Sequence, residues 1–153
     1  MISPEMLRRY PFFHSLSHEQ LIRLAMISTP AEFAAGEWIL REGDPPDRLY
    51  LITEGDVDIC MTVGAADEPL AFTTITSGAV LGWSALIAER RFASARARTP
   101  VSAIALDGAS LLSLCEEDEA LGYCIMRRIA GVIYERLRSI SYQLVSLIPA
   151  SSD

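Results

Sequence analysis

Apolar and polar positions change period twice along the chain. From Met1 to Pro30 the apolar positions fall at helical spacing. Ser3-Pro4 is a helix-start signal, a capping residue followed by proline at the first helical position. It predicts a short helix to about Arg9 that breaks before Pro11. Ser17 and Gln20 have the spacing of a capping box, after which Leu21, Leu24 and Ala25 continue at helical spacing until Pro30 closes the segment.

From about Ala31 the period shortens. Gly36-Glu37, Gly43-Asp44-Pro45-Pro46, Glu54-Gly55-Asp56 and Ser77-Gly78 punctuate runs that read as strands: Glu37–Arg41, Arg48–Glu54, Val57–Val63, Leu70–Thr76, Ala93–Ala97 and Val101–Leu106. Short strands at such close intervals, separated by turn residues, indicate an antiparallel sandwich or barrel. Leu49 and Leu51 alternate with Tyr50 and Ile52, as in a strand covered on both faces. Gly64 to Pro69 reads as a polar hairpin tip.

The helical period then returns. Asp107 is placed to cap a short helix through Cys115, and a long helix is predicted from about Glu117 to Ile148, stopped by Pro149. Ile133, Leu137, Ile140, Leu144 and Leu147 step by 4, 3, 4 and 3, a heptad seam of about two repeats that predicts a homodimer through this helix. The tail from Ala150 to Asp153 is expected to fray. The outline is a mainly β fold with flanking α: residues 1–30 helical, 31–106 a β-roll, 107–148 helical, in one domain spanning 1–153.

Length agrees with that outline, since a chain of 153 residues buries roughly 68–70% of its unfolded surface in a single core. Composition then removes whole classes. No apolar run reaches the ~18 residues of a membrane-spanning helix. Arg8 and Arg9 are followed by no apolar h-region, so the chain reads as cytoplasmic, without membrane. All 13 cationic side chains are arginine, which excludes a phosphate-loop lysine, a Schiff-base lysine and a kinase strand lysine. A net charge of −7 argues against nucleic acid as the partner. Cys60, Cys115 and Cys124 form no C-x-x-C pair and read as plain core thiols. His14 and His18 lie four apart, but Ser17 caps the helix between them, so they share no face and metal is not expected. Asp107 and Ser110 have no histidine anywhere in the second half of the chain, so a triad is excluded and no enzyme is expected. Glu116-Glu117-Asp118-Glu119 reads as a helix start, and Arg127, Arg128, Arg136 and Arg138 as a solvated helix face.

The run Phe33 to Asp44 (FAAGEWILREGD), followed by Asp47 to Gly55 (DRLYLITEG) and preceded by Leu7-Arg8-Arg9-Tyr10-Pro11-Phe12-Phe13, resembles a cyclic-nucleotide-binding domain of the catabolite-activator type. The resemblance covers about Pro4 to Leu137. It implies a double-stranded β-helix, or jelly-roll-like β-roll, with two N-terminal helices, a short cassette helix and a long C-terminal helix that lids the pocket and forms the dimer. Regulators of that family continue into a helix-turn-helix domain; this chain ends instead, so a stand-alone module is expected, signalling through its dimer or to a separate protein partner.

The resemblance also places a phosphate-binding cassette at Gly78 to Ala97. Gly82 matches the glycine opening the cassette helix, and Arg91 the arginine that pairs with the cyclic phosphate, with Ser84, Ala85 and Ala93 completing the implied ligand site. The implied ligand is a small anion, cAMP or cGMP, with no other cofactor. Two residues depart from the pattern: Trp83 stands where the family has the glutamate that accepts the ribose 2′-hydroxyl, and Phe92 where bacterial members have serine or threonine. Losing both contacts costs roughly 2–4.5 kcal/mol, on the order of 30- to 2000-fold in affinity. Alanines 93, 95 and 97 share the parity of Arg91 and would leave a void beside it, which something must occupy. Three readings stay open. Trp83 fills the pocket of a ligand-free dimerisation or protein-interaction module; Trp83 stacks on a different anion held by Arg91; or the cassette still takes a cyclic nucleotide, weakly.

Overall fold

The computed structural model describes residues 1–65 and 67–150. Position 66 of the expected hairpin tip and residues 151–153 of the expected tail lie outside the described residues. The first helix, α1 (Pro4–Arg8), begins where Ser3 Oγ accepts the Met6 N–H. A single 3-10 turn at Pro11–Phe13 then buries Phe12 and Phe13. α2 (His18–Met26) starts in a reciprocal capping box: Ser17 Oγ accepts the Gln20 N–H, and Gln20 Oε1 accepts the Ser17 N–H. His14 precedes that helix, and a nitrogen of Arg8 lies 2.9 Å from His18 Nδ1.

Pro30 does not close the helical segment. α2 ends at Met26, and β1 (Ser28–Phe33) carries Pro30 opposite Ile104. β1 is an edge strand, where a residue without an N–H is tolerated, so the proline that looked like a stop lies inside a strand. The strands that follow are β2 (Trp38–Leu40), β3 (Arg48–Glu54), β4 (Val57–Met61), β5 (Leu70–Ile75), β6 (Val80–Leu81), β7 (Ser94–Ala97) and β8 (Val101–Asp107). They form two four-stranded antiparallel sheets of order β1-β8-β3-β6 and β2-β7-β4-β5, a jelly-roll-like roll.

Two cores result, because β3 and β8 are covered on both sides. Leu49 and Leu51, with Ile104 and Leu106, face the helices and meet Leu7, Phe13, Leu21, Leu24, Leu111 and Ile125. Tyr50 and Ile52, with Ala103 and Ala105, face the interior between the sheets and meet Val57, Ile59 and the β7 alanines. The period-2 alternation assigns each residue to one core or the other.

α4 (Gly108–Glu117) begins at Asp107, whose Oδ2 accepts the Ser110 N–H. It runs through Glu117, so the long helix does not start there. Asp118 breaks the backbone with φ −121° and ψ 94° and caps α5 (Glu119–Ser146) by accepting the Leu121 N–H. Gly122 allows the α4–α5 turn to close: a Cβ there would lie 2.6 Å from the Cys115 carbonyl. The first half of α5 buries Leu121, Ile125 and Ile129, whereas Leu137, Leu144, Val145 and Leu147 are exposed. No described helix is long and apolar enough to cross a membrane.

Candidate functional site: the cassette around Arg91

The cassette is built where β6 gives way to a four-residue helix, α3 (Ser84–Ile87). Gly82 makes the turn at φ +84°. A side chain there is excluded twice, since its Cβ would lie 2.7 Å from the Arg48 carbonyl oxygen and 2.9 Å from Arg91 Nη1. The residue that enforces a tight turn therefore also allows the guanidinium to approach.

Arg91 is 4% exposed. Its backbone is strapped to the β2–β3 loop on both sides: its N–H donates to Asp44 O at 2.9 Å, and its carbonyl accepts the Gly43 N–H at 2.8 Å. The side chain spans two elements. Nη1 donates to Gly82 O at 2.9 Å and Nη2 to Arg48 O at 2.7 Å, while Asp47 Oδ1 lies 3.6 Å from Nη2 on a largely exposed side chain. Burial lowers the pKa of this guanidinium, and Asp47 opposes the shift. The cation is thus held mainly by neutral carbonyls, and its ion pair with Asp47 is partly screened by water.

Trp83 turns inward. It is 9% exposed, and its ring stacks at a tilt on Phe92 with centroids 5.7 Å apart, although Phe92 itself is 51% exposed. On the indole lies the guanidinium of Arg136 from α5, 4.4 Å from the ring centroid and bonded through Nη2 to the Val80 carbonyl. Burial pushes Arg136 down to about 10. Among the described residues no carboxylate lies within 4.0 Å of it.

These groups enclose a cavity of about 30 Å³, room for about two waters. The sequence-derived site residues Gly82, Trp83, Ser84, Arg91, Phe92 and Ala93 all border it. Ala85 does not; its methyl group faces Gly108 at the start of α4. Ala93, Ala95 and Ala97 point into the core between the sheets as their parity predicts, whereas Trp83 belongs to the helix-side core and meets Ala93 and Ala95 only around the cavity. Arg136 was expected on a solvated face and is corrected here: it joins the site. The stripe Leu121, Ile125, Ile129, Val132 continues at helical spacing to position 136, so the arginine sits where the next core residue would fall. Among the described residues no group of His, Cys, Asp or Glu is placed to hold a metal. Burial raises the pKa of the Cys60 and Cys115 thiols.

The cyclic nucleotide-binding domain family matches residues 30–118, the roll with its cassette and α4. The chain belongs to this family. A crystal structure from Geobacter metallireducens GS-15, of a protein named for cyclic nucleotide binding, is 37% identical with a TM-score of 0.79, covering 90% of this chain and 99% of that one. The CRP-like cAMP-activated global transcriptional regulator of Mycobacterium tuberculosis is 28% identical over 144 residues, 94% of this chain and 62% of the regulator. A cGMP-dependent protein kinase of Caenorhabditis elegans is 29% identical over 133 residues, 84% of this chain. The chain spans 17% of that kinase's length.

Proposed function

We propose that this cyclic nucleotide-binding domain is a sensor, one module over residues 1–153, that binds a small anionic ligand at Arg91 and reports occupancy through α5. The observation that carries the reading is Arg91 itself: a buried guanidinium held by two carbonyls, bordering a cavity with the Gly82 turn, inside the stretch that the family matches. A ligand phosphate would give that fork a charged acceptor nearer than the exposed Asp47 carboxylate, with shorter and stronger hydrogen bonds than carbonyls make. Names among the relatives, a cGMP-dependent kinase and a cAMP-activated regulator, make cAMP and cGMP the first ligands to test. Ser84 and Ala93 would border the ligand, and Trp83 and Phe92 would set its shape. The exposed apolar stripe of α5, from Leu137 to Leu147, fits a homodimer that passes the signal across or on to a protein partner, and the expected compartment is the cytoplasm.

The test is a calorimetric titration with cAMP and then cGMP, carried to millimolar ligand. The expected result is saturable binding that is lost in Arg91→Ala, with folding of the variant checked by circular dichroism. Absence of heat for both nucleotides at millimolar concentration overturns the cyclic-nucleotide reading.

A further inference from the structure

Besides the cassette cavity there is a much larger concavity, a groove of about 790 Å³ along α5, walled by Phe12, Val80, Tyr123, Arg127, Arg128 and Arg136. That volume lies within the range of small-molecule sites, whereas the 30 Å³ beside Arg91 does not. One side chain borders both spaces. Arg136 lies between the groove and the cassette cavity, with its cation on the Trp83 ring and its Nη2 on the Val80 carbonyl.

We propose that Arg136 is an intramolecular gate: while it rests on Trp83 and Val80 the cassette stays closed, and an anionic ligand reaches Arg91 from the α5 groove as Arg136 swings off. This rests on the reading of the cassette as a ligand site. The chemistry of the resting contact supports it. Both partners of Arg136, a carbonyl and an indole face, are neutral, and no described carboxylate is in reach. A partly buried cation held only by a carbonyl and an indole face is weakly tethered, so an anion in the groove draws it off those contacts before passing on to Arg91. Arg127, Arg128 and Arg136 outnumber Glu135 on the wall of the groove, a net cationic face on a chain of net charge −7, which draws an anion here. Because Arg136 is part of α5, opening is coupled to the position of the helix that carries the exposed apolar stripe.

The chain has two tryptophans, so Trp38→Phe leaves Trp83 as the sole emitter. In that background Arg136→Ala and Arg136→Gln are compared with the parent; both replacements are good helix formers, so α5 persists. Acrylamide quenching of Trp83 is expected to rise in both variants. The cAMP affinity is expected to tighten about ten-fold, equivalent to about 1.4 kcal/mol. Quenching that stays unchanged overturns the gate. Equal or weaker cAMP binding, with the parent binding measurably, overturns the gate alone and makes Arg136 a bystander or a ligand contact. No binding of cAMP or cGMP by parent and variants alike overturns the ligand reading and the gate together.

Discussion

Replacing Arg91 with alanine should cost stability even with no ligand present. Two hydrogen bonds from a charged donor, to Gly82 O and Arg48 O, are removed, and each contributes about 1.5–3 kcal/mol. Their loss leaves two carbonyls at the base of the cassette without these donors. Against the gross figure of roughly 3–6 kcal/mol stands the relief of no longer burying a cation, which is 4% exposed and whose nearest carboxylate lies 3.6 Å away on an exposed side chain. A net loss of about 2–4 kcal/mol follows, or about 4–16 °C in Tm at the roughly 2–4 °C per kcal/mol of a chain this long. Guanidinium denaturation of Arg91→Ala beside the parent, at equal m-value, measures it directly. Arg91→Lys keeps the charge but cannot span both carbonyls, so it should fall between the two. A loss below about 0.5 kcal/mol, the scale of an ordinary surface change, would refute the reasoning. It would mean that the fork is not committed to the backbone. The same figures bear on the binding assay, because loss of ligand in Arg91→Ala carries meaning only where the variant is shown to be folded.

Gly82→Ala should destabilise by at least about 2 kcal/mol and displace Arg91, since it combines a positive φ with a Cβ 2.7 Å from a backbone oxygen; thermal melts check this. Trp83→Glu restores the acceptor for a ribose hydroxyl and should strengthen cAMP binding by roughly 10- to 150-fold, the worth of one charge-assisted bond, as read by calorimetry; no gain would show that the indole is not what limits affinity. The Asp118 carboxyl is held below its usual range first by the Leu121 N–H and then by Gln20. A depressed folded pKa contributes stability that is present above the unfolded value, near pH 4, and is lost as pH falls through the folded one. Asp118→Asn keeps the cap and should flatten the stability profile below about pH 4, measured by denaturation at each pH. Light scattering is expected to give a dimer that Leu137→Asp with Leu144→Asp converts to a monomer; a parent that remains monomeric at high concentration removes α5 as an interface.

Local signals with one dominant cause were legible in the sequence. The ends of β3, the Ser3, Ser17 and Asp107 caps and the inward parity of the β7 alanines all follow from short-range chemistry. β1 was not legible because its proline is tolerated only by virtue of an edge position, which is a tertiary fact. β6, at two residues, is too short to show a period. In the cassette, Gly82, Trp83 and Arg91 were found through resemblance and do converge. Arg136 was missed because its class says surface while its place in the stripe says core. The Arg91 acceptors were invisible for another reason: they are backbone carbonyls, which every residue carries.

The alternation of small and large residues along β8 bears on how the chain reaches its fold. β8 pairs with β3 across most of its length, with Arg48 opposite Asp107 and Leu51 opposite Ile104, far apart in sequence. A slip of one residue would push Ile104 and Leu106 into the space sized for Ala103 and Ala105 and leave the alanines facing the helices. The slipped pairing is overpacked on one face and hollow on the other, each a penalty of kilocalories. The strand therefore discriminates its own register by volume, and a slipped β3–β8 ladder is destabilised relative to the native one. Closing so distant a pair is slow, and β1, which docks on the other side of β8, is farther still in sequence. Ala105→Leu should accordingly weaken that discrimination and leave a larger fraction of chains trapped as aggregates on refolding.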